Sequence, residues 1–325
     1  VNWPCAALER ADLSRRTTLR VGGQAQWLLE PATPRELQAA WVAAHERELP
    51  VRLLGQGANL IIDDGLHAGA VISTERMQRA WRPLEGQPEL SAELFDHEIT
   101  SAALGAPERD PRLIAWCGAS MPGLVRQCAQ LGLSGFEGLV GVPGSLGGGI
   151  AMNAGGRWGE LWNQVECVRL LDARGTFVDV RRGEHSPVYR DGRLGGRVLV
   201  AAVLRFEPAE AERVRALTDD YLRQKKDAQP LVERSAGCIF KNPPRELADG
   251  RSAGQLLEAC GAKGRRRGGA QISEKHANFL VNRGGASSAD VLALIAEARE
   301  LVERAVGVLL QQEVQHWPAP TLAAR

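Results

Sequence analysis

The chain has 325 residues, 44% hydrophobic and 24% charged, with 40 basic against 39 acidic side chains and a net charge of +1. That length suits two or three domains sharing one ligand, and the even charge, with no basic stripe, argues against a nucleic-acid partner while leaving an anionic small molecule open. No run approaches the roughly 20 apolar residues that cross a bilayer, and the opening VNWPCAALERADLSRR lacks the apolar stretch of a secretion signal, so no membrane insertion and a cytoplasmic location are expected.

In chain order, Thr33 reads as an N-cap with Pro34 at the first helical position and Glu36 closing a capping box, followed by an apolar face at Leu37, Ala40, Trp41 and Ala44. The apolar runs 51–54 and 60–62 read as short strands around the loop GQGAN. Residues 78–112 are polar and proline-bearing and read as an insertion or a long surface loop. A strand over 113–117 and a helix over 121–131 ending at Gly132 come next. The glycine-dense stretch 135–156 follows, then a hairpin of 165–171 with 176–180 and a strand over 197–206. Residues 210–226 read as a charged helix. Ser287 and Asp290 box the start of a long helix whose apolar face is Val291, Leu294, Ile295, Ala298, Leu301 and Val302, ended by Gly307, and the tail VLLQQEV reads as a strand. Six cysteines, at 5, 117, 128, 167, 238 and 260, show no C-x-x-C pair and no His at ligand spacing, which points to reduced thiols and no metal site.

The two glycine loops carry the functional signal. The first, Gly55-Gln56-Gly57-Ala58-Asn59, can expose successive backbone N–H groups to phosphate oxygens, although a tight turn between strands needs the same glycines. The second is more specific, because glycine at that density forfeits packing, and ligand approach or unusual backbone is the expected reason. It is not a dinucleotide G-x-G-x-x-G fingerprint, since it lacks the strand-loop-helix opening with a spaced acidic residue.

The motifs TTLRVGG, LGQGANLII, GLVGVPGSLGGGIAMNAGG, VYRDG, SAGCIFKNP, GGAQISEKHANFLVNRGG and QQEV, in that order, resemble the UDP-N-acetylenolpyruvoylglucosamine reductase family, the MurB enzymes of peptidoglycan precursor synthesis. The resemblance covers nearly the whole chain outside 78–112 and the last residues. It implies an α+β protein with the FAD-binding fold of the vanillyl-alcohol-oxidase type, made of two α/β subdomains (1–73 and 74–209, the latter holding the insertion), plus a C-terminal α+β substrate domain over 210–325. The first loop has no histidine, so a noncovalent FAD is implied, held by Gly55, Gln56, Gly57, Ala58, Asn59 and Leu60 and by Val142, Pro143, Gly144, Ser145, Gly148, Asn153, Ala154 and Gly155.

The implied reaction is NADPH-dependent, FAD-mediated reduction of UDP-N-acetylglucosamine enolpyruvate to UDP-N-acetylmuramate. Such a hydride addition leaves a carbanion that needs a cation or acid to stabilise it and a proton donor to finish. Arg190 matches the family's arginine and would pair with the substrate carboxylate, although outside the motif an exposed arginine after a strand is the plainer reading. Glu313 matches the family's glutamate at the enolate, where on composition alone it is one more solvated carboxylate. Cys238 stands where most of the family has serine; a thiol, with a pKa of about 8.5, is the stronger acid, and the plainer reading is a buried, inert cysteine.

Tyr189, Lys226, Lys241, Asn242 and Gln271 would face the UDP-sugar, with Lys225 the alternative to Lys226. The triplet Arg265, Arg266 and Arg267 reads as solvated, and His276 and Asn278 as local turn-formers. No segment supplies the tyrosine loop of the family's first type, so the second type is implied, and a monomer is expected. Two alternatives stay open: another flavin dehydrogenase of the same fold, and a nonenzymatic nucleotide-sugar binder.

Overall fold

The computed structural model describes residues 2–83, Phe95 and 110–319. The chain falls into two compact units: unit 1 comprises Val1–Ala7, Leu29–Gln56 and Ala70–Gln224, and unit 2 comprises Leu8–Leu28, Gly57–Gly69 and Lys225–Arg325. Both mix helices with largely antiparallel sheets, the α+β class expected. Among the described residues no helix is long and apolar enough to cross a membrane.

Unit 1 is organised by a five-stranded antiparallel sheet in the order Phe177–Arg181, Val165–Leu171, Val198–Arg205, Arg112–Trp116, Ala80–Trp81. Its central strand, VLVAAVLR, is an unbroken apolar run and is buried up to its last residue, as a strand covered on both faces requires. The expected insertion is therefore shorter than 78–112. Ala80–Trp81 is the edge strand, with Trp81 packed edge-on against Trp116 at 6.0 Å, and Arg112 already belongs to the next strand. Residues 84–94 and 96–109 of that stretch lie outside the described residues.

Two helices of unit 1 follow their caps. In Pro34–Glu46 the Thr33 Oγ1 accepts the Glu36 N–H at 3.2 Å. Glu36 does not close the box expected from the sequence, because its carboxylate accepts the N–H of Ala32, one residue beyond Thr33. Met121–Leu131 starts at Ser120 and stops at Gly132, whose φ of +68° ends the helix in the left-handed region.

A third helix, Leu146–Ala151, runs through the sequence LGGGIA and packs on the strands Val198–Arg205 and Arg112–Trp116. Glycine propensity hid it from sequence reading. The reason for those glycines is close packing as much as ligand approach. A Cβ at Gly147 would sit 3.1 Å from Cys117, one at Gly149 would sit 2.8 Å from the Leu161 side chain, and one at Gly138 would sit 2.5 Å from the Trp158 carbonyl.

Unit 2 is built on a four-stranded antiparallel sheet in the order Ser235–Cys238, Phe279–Asn282, Ala270–Ile272, Arg266–Arg267. The helix Ser288–Val306 begins at the Ser287/Asp290 capping box, ends at Gly307 with φ +70°, and buries Val291, Leu294, Ile295, Ala298 and Val302. These pack with Leu256, Leu257, Ile239, Phe240, Leu280 and Leu310 in one core. The tail departs from expectation: its strand is Gln315–Trp317, paired in parallel with Leu60–Ile62, and not VLLQQEV. The N–H groups of Glu313 and Val314 both point at the Ile239 carbonyl, so the regular ladder cannot form before Gln315. Asp63 anchors that strand by accepting from His316 Nε2 at 2.7 Å and from the Ala319 N–H at 3.0 Å.

The contrast among the glycines is measurable. Gly138→Ala, which forces a Cβ onto a backbone carbonyl, should cost about 1–3 kcal/mol in urea unfolding. Gly156→Ala, with open space at its Cβ and no positive φ, should stay within about 0.5 kcal/mol of the parent.

Candidate active site

In unit 1 the start of the first glycine loop, Gly55, meets the second loop at one serine. Gly141 and Gly144 take φ of +77° and +103°, and the Gly144 carbonyl accepts the Met121 N–H at 2.9 Å. This turns Ser145 to the start of the helix Leu146–Ala151, where its side chain makes no capping bond. Its Oγ is buried and has no hydrogen-bond partner among the described residues. A Cβ at Gly55 would lie 2.6 Å from that oxygen, so a side chain at position 55 would displace whatever Ser145 serves. Gly148 is exposed, and a Cβ there would meet only the same Oγ, at 3.9 Å.

Asn153, 1% exposed, has both amide hydrogens engaged within the protein, donating to Glu160 Oε2 at 2.8 Å and to the Val188 carbonyl at 3.1 Å. Its backbone N–H donates to the Ile150 carbonyl at 3.2 Å, which leaves for a ligand its carbonyl and its Oδ1, the latter accepting the Trp162 N–H at 3.5 Å. The bond to Val188 steadies the turn in which Val188 and Asp191 exchange backbone bonds of 2.9 and 3.1 Å, with Tyr189 and Arg190 at its tip. Arg190 has φ +58°, a conformation that glycine adopts freely and that costs an arginine on the order of 1 kcal/mol. Its Nη2 donates to the Gly155 carbonyl at 3.0 Å, and its guanidinium lies 4.7 Å from the centre of the Tyr189 ring. Tyr189 itself is 43% exposed.

Unit 2 gathers residues from three distant stretches of sequence. Ser235 pairs with Val281 and Cys238 with Phe279, so Ala236 and Gly237 stand against the single Leu280 and the cysteine strand carries a bulge. Gly237 sits in the bulge with φ +81° and donates its N–H to Ser235 Oγ at 3.1 Å. Cys238 is half-buried, in contrast to Cys117 and Cys167, which are buried and whose thiols desolvation pushes up to about 12 and about 11.

The tail runs along the residues after Cys238. The Lys241 N–H donates to the Gln311 carbonyl at 2.8 Å, Phe240 bridges Gln312, and the Glu313 N–H donates to the Ile239 carbonyl at 2.8 Å. Asn59 of the first loop donates to the Glu313 carbonyl at 3.4 Å. Thr18, of the TTLR motif, joins the same loop to the cysteine strand, its N–H on the Gly57 carbonyl at 3.1 Å and its Oγ1 on the Ser235 carbonyl at 2.6 Å. Gly57 is a packing glycine, since a Cβ there would lie 2.2 Å from the Arg16 carbonyl.

The residues assigned to the UDP-sugar are placed unevenly. Lys226 is exposed, while Lys225 is 8% exposed and burial pushes its ammonium down to about 8. Asn242 is exposed and its Oδ1 accepts the Ala253 N–H at 3.1 Å; Lys241 is half-buried. Gln271 is tied down within its own hairpin, donating to the Gly264 carbonyl at 3.3 Å and accepting from Arg283 Nε at 2.7 Å. Arg265 and Arg267 both pair with Glu297, at 2.7 and 3.1 Å, which accounts for two of the three arginines set aside from the sequence.

A family model for the UDP-N-acetylenolpyruvoylglucosamine reductase C-terminal domain matches residues 229–317, the span that holds Cys238 and Glu313, and an FAD-binding-domain model matches 25–87 and 104–181, the span that holds both glycine loops. The UDP-N-acetylenolpyruvoylglucosamine reductase of Moorella thermoacetica is 36% identical over 313 residues, covering 95% of this chain and 93% of its own. That of Alkalilimnicola ehrlichii is 38% identical over 310 residues, with 93% and 91% covered. The chain belongs to this reductase family. The crystal structure of the family's enzyme MurB from Thermus caldophilus superposes with a TM-score of 0.75 at 32% identity, covering 95% of this chain and 98% of that one. The protein is therefore an FAD-dependent oxidoreductase of peptidoglycan precursor synthesis, with the FAD-binding fold that the resemblance implied.

The residues of unit 1 fit that cofactor. An orphaned, buried Ser145 hydroxyl facing Gly55, beside the open Cβ position of Gly148, is a polar cradle that side chains have been kept out of. Sequence reading passed over Glu160, which receives the Asn153 amide. Its one signal is an acidic residue closing GGRWGE beside a buried asparagine.

Two outcomes follow for the reductase. At position 190 the glycine variant should be more stable than the alanine variant by about 1 kcal/mol in thermal unfolding, reversing their usual order, because the φ is left-handed. For Lys225, whose folded-state pKa lies below the ordinary 10.5, the unfolded chain binds the proton more tightly. Stability should therefore rise with pH from about 8 to about 10. Lys225→Met should raise the melting temperature at neutral pH and flatten that rise.

Proposed function

We propose that the chain reduces UDP-N-acetylglucosamine enolpyruvate to UDP-N-acetylmuramate, with NADPH as reductant of the bound FAD and Cys238 as the proton donor. The carrying observation is that Cys238 and Glu313, 75 positions apart in sequence, lie on hydrogen-bonded neighbouring segments joined at the Ile239 carbonyl. When bound and reduced, FAD would supply the hydride that the terminal carbon of the enol ether takes up.

The protein's own groups handle the charge that results. Arg190, whose fork of donors suits a carboxylate, pairs with the substrate carboxylate as negative charge builds. Glu313, as the neutral acid, donates a hydrogen bond to the developing enolate. The Cys238 thiol then gives its proton to the adjacent carbon, completing the second C–H bond, and the thiolate regains a proton from solvent. Cys238 is half-buried, so burial does not close its thiol off from a substrate.

For the FAD we assign Gly55, Gln56, Gly57, Ala58, Asn59 and Leu60, together with Val142, Pro143, Gly144, Ser145, Gly148, Asn153, Ala154 and Gly155, with Asn153 acting through its backbone carbonyl or Oδ1. For the UDP-sugar we assign Tyr189, Lys226, Lys241, Asn242 and Gln271. Exposed Lys226 suits an anionic diphosphate better than Lys225, whose charge burial disfavours.

Stopped-flow half-reactions test the central role. Cys238→Ala and Cys238→Ser should both accept hydride from NADPH at near-parental rates. Cys238→Ala should then be reoxidised by the enolpyruvyl substrate roughly 10²- to 10⁴-fold more slowly. Parental reoxidation of Cys238→Ala would remove Cys238 as the donor.

A further inference from the structure

The structure assigns Asn278 as a positioning residue that fixes the Cys238 thiol, an inference that rests on the proton-donor reading above. Sequence pattern makes Asn278 a local turn-former within KHANF, but its side chain works across 38 positions of sequence. Asn278 is 3% exposed. Its Oδ1 accepts the Phe240 N–H at 3.0 Å and its Nδ2 donates to the Phe240 carbonyl at 2.8 Å, so one amide grips both polar groups of one residue. Its own carbonyl accepts the Ile239 N–H at 2.8 Å.

The grip is applied where the ladder fails. The bulge between Ser235 and Cys238 leaves the cysteine strand with one residue more than its partner, and Gly237 within it has open space at its Cβ and a φ of +81°. Beyond Cys238 the regular pairing with Phe279–Asn282 ends, and Asn278 replaces it. Asn278 is in turn held from behind: its N–H donates to His276 Nδ1 at 3.1 Å, and the His276 ring packs where a Cβ on Gly254 would come within 2.8 Å. On the opposite side the Ile239 carbonyl holds Glu313. Loss of the Asn278 amide would let residues 238–240 swing about Gly237, moving the thiol and leaving the buried Phe240 backbone groups unpaired.

The test uses the holoenzyme and reads the two half-reactions separately, in H2O and D2O. For Asn278→Ala, flavin reduction by NADPH should stay within about twofold of the parent. Reoxidation by the enolpyruvyl substrate should slow by about 10- to 100-fold, the scale of a misplaced reacting group, with a larger solvent isotope effect. In a Cys238→Ala background the same change should add less than about twofold, because Asn278 acts through the thiol.

Equal slowing of both half-reactions, or a full additional loss in the Cys238→Ala background, would overturn the assignment. Where Asn278→Ala does not retain flavin, Asn278→Asp, which keeps an acceptor for the Phe240 N–H, is read the same way and should slow only reoxidation. The two readings fail differently: a fast Cys238→Ala removes the donor itself, whereas a slow Cys238→Ala beside a fast Asn278→Ala removes only the clamp.

Discussion

The Ile239 carbonyl is the point on which unit 2 depends. It accepts the Glu313 N–H at 2.8 Å and lies within 3.4 Å of the Val314 N–H, while the N–H of the same residue is bonded to the Asn278 carbonyl. One residue therefore faces the end of the sheet through its N–H and the tail through its carbonyl. The tail cannot continue as a regular strand because two successive N–H groups converge on one acceptor, and that irregularity places Glu313 beside the segment that follows Cys238. Asn59 and Thr18 fasten the first glycine loop to the same assembly. Backbone bonds thus join the thiol-bearing and carboxyl-bearing segments, and the side chains of Asn59 and Thr18, each donating to a backbone carbonyl, add the loop. Such an arrangement tolerates side-chain drift at most positions and is intolerant of change in backbone path.

Unit 1 reaches its geometry by the opposite means, through the absence of atoms. Gly138, Gly147 and Gly149 are required because neighbouring backbone or side chains already occupy the space of a Cβ, whereas Gly55 and Gly148 border on a hydroxyl that has no protein partner. The first group is explained by packing and the second borders the proposed FAD contact, a separation that sequence density conceals. Arg190 adds a further element. Its left-handed backbone, steadied through Val188 by Asn153 and Glu160, is a conformation that folding alone would give to glycine. An arginine held there against its preference is the pattern expected where stability is yielded to charge placement.

Much of the fold was legible because its signals are local. Thr33, Ser120 and Ser287 cap helices within four residues, and Gly132 and Gly307 end them by their own φ. Strand alternation gave the hairpin of Val165–Leu171 with Phe177–Arg181. What escaped was set by distant partners. The helix through LGGGIA forms because strands lie beneath it, against the propensity of its residues. The tail strand begins at Gln315 because of Ile239, and Ala80–Trp81 joins a sheet by pairing with Arg112–Trp116, across a stretch that reads as loop. At the site, the glycine loops and Cys238 stood out by composition and motif. Glu160 and the reach of Asn278 did not, since a hydrogen bond spanning 38 residues leaves no periodicity to read.

The six thiols show what the proposed chemistry demands of placement. Cys117, Cys128 and Cys167 are buried, and desolvation raises the pKa of each, which suppresses the thiolate through which cysteines oxidise. A thiol that must meet a substrate cannot be protected in that way, because the burial that disarms it would also exclude the carbon it serves. Cys238 is only half-buried, so its control has to come from geometry instead of dielectric. A bulge with a left-handed glycine sets its direction, and flanking peptides bonded on both sides limit its excursion. On this reading the choice of cysteine at position 238 makes the rigidity of residues 237–240 part of the chemistry, since a mobile half-exposed thiol would gain reach and lose both aim and protection.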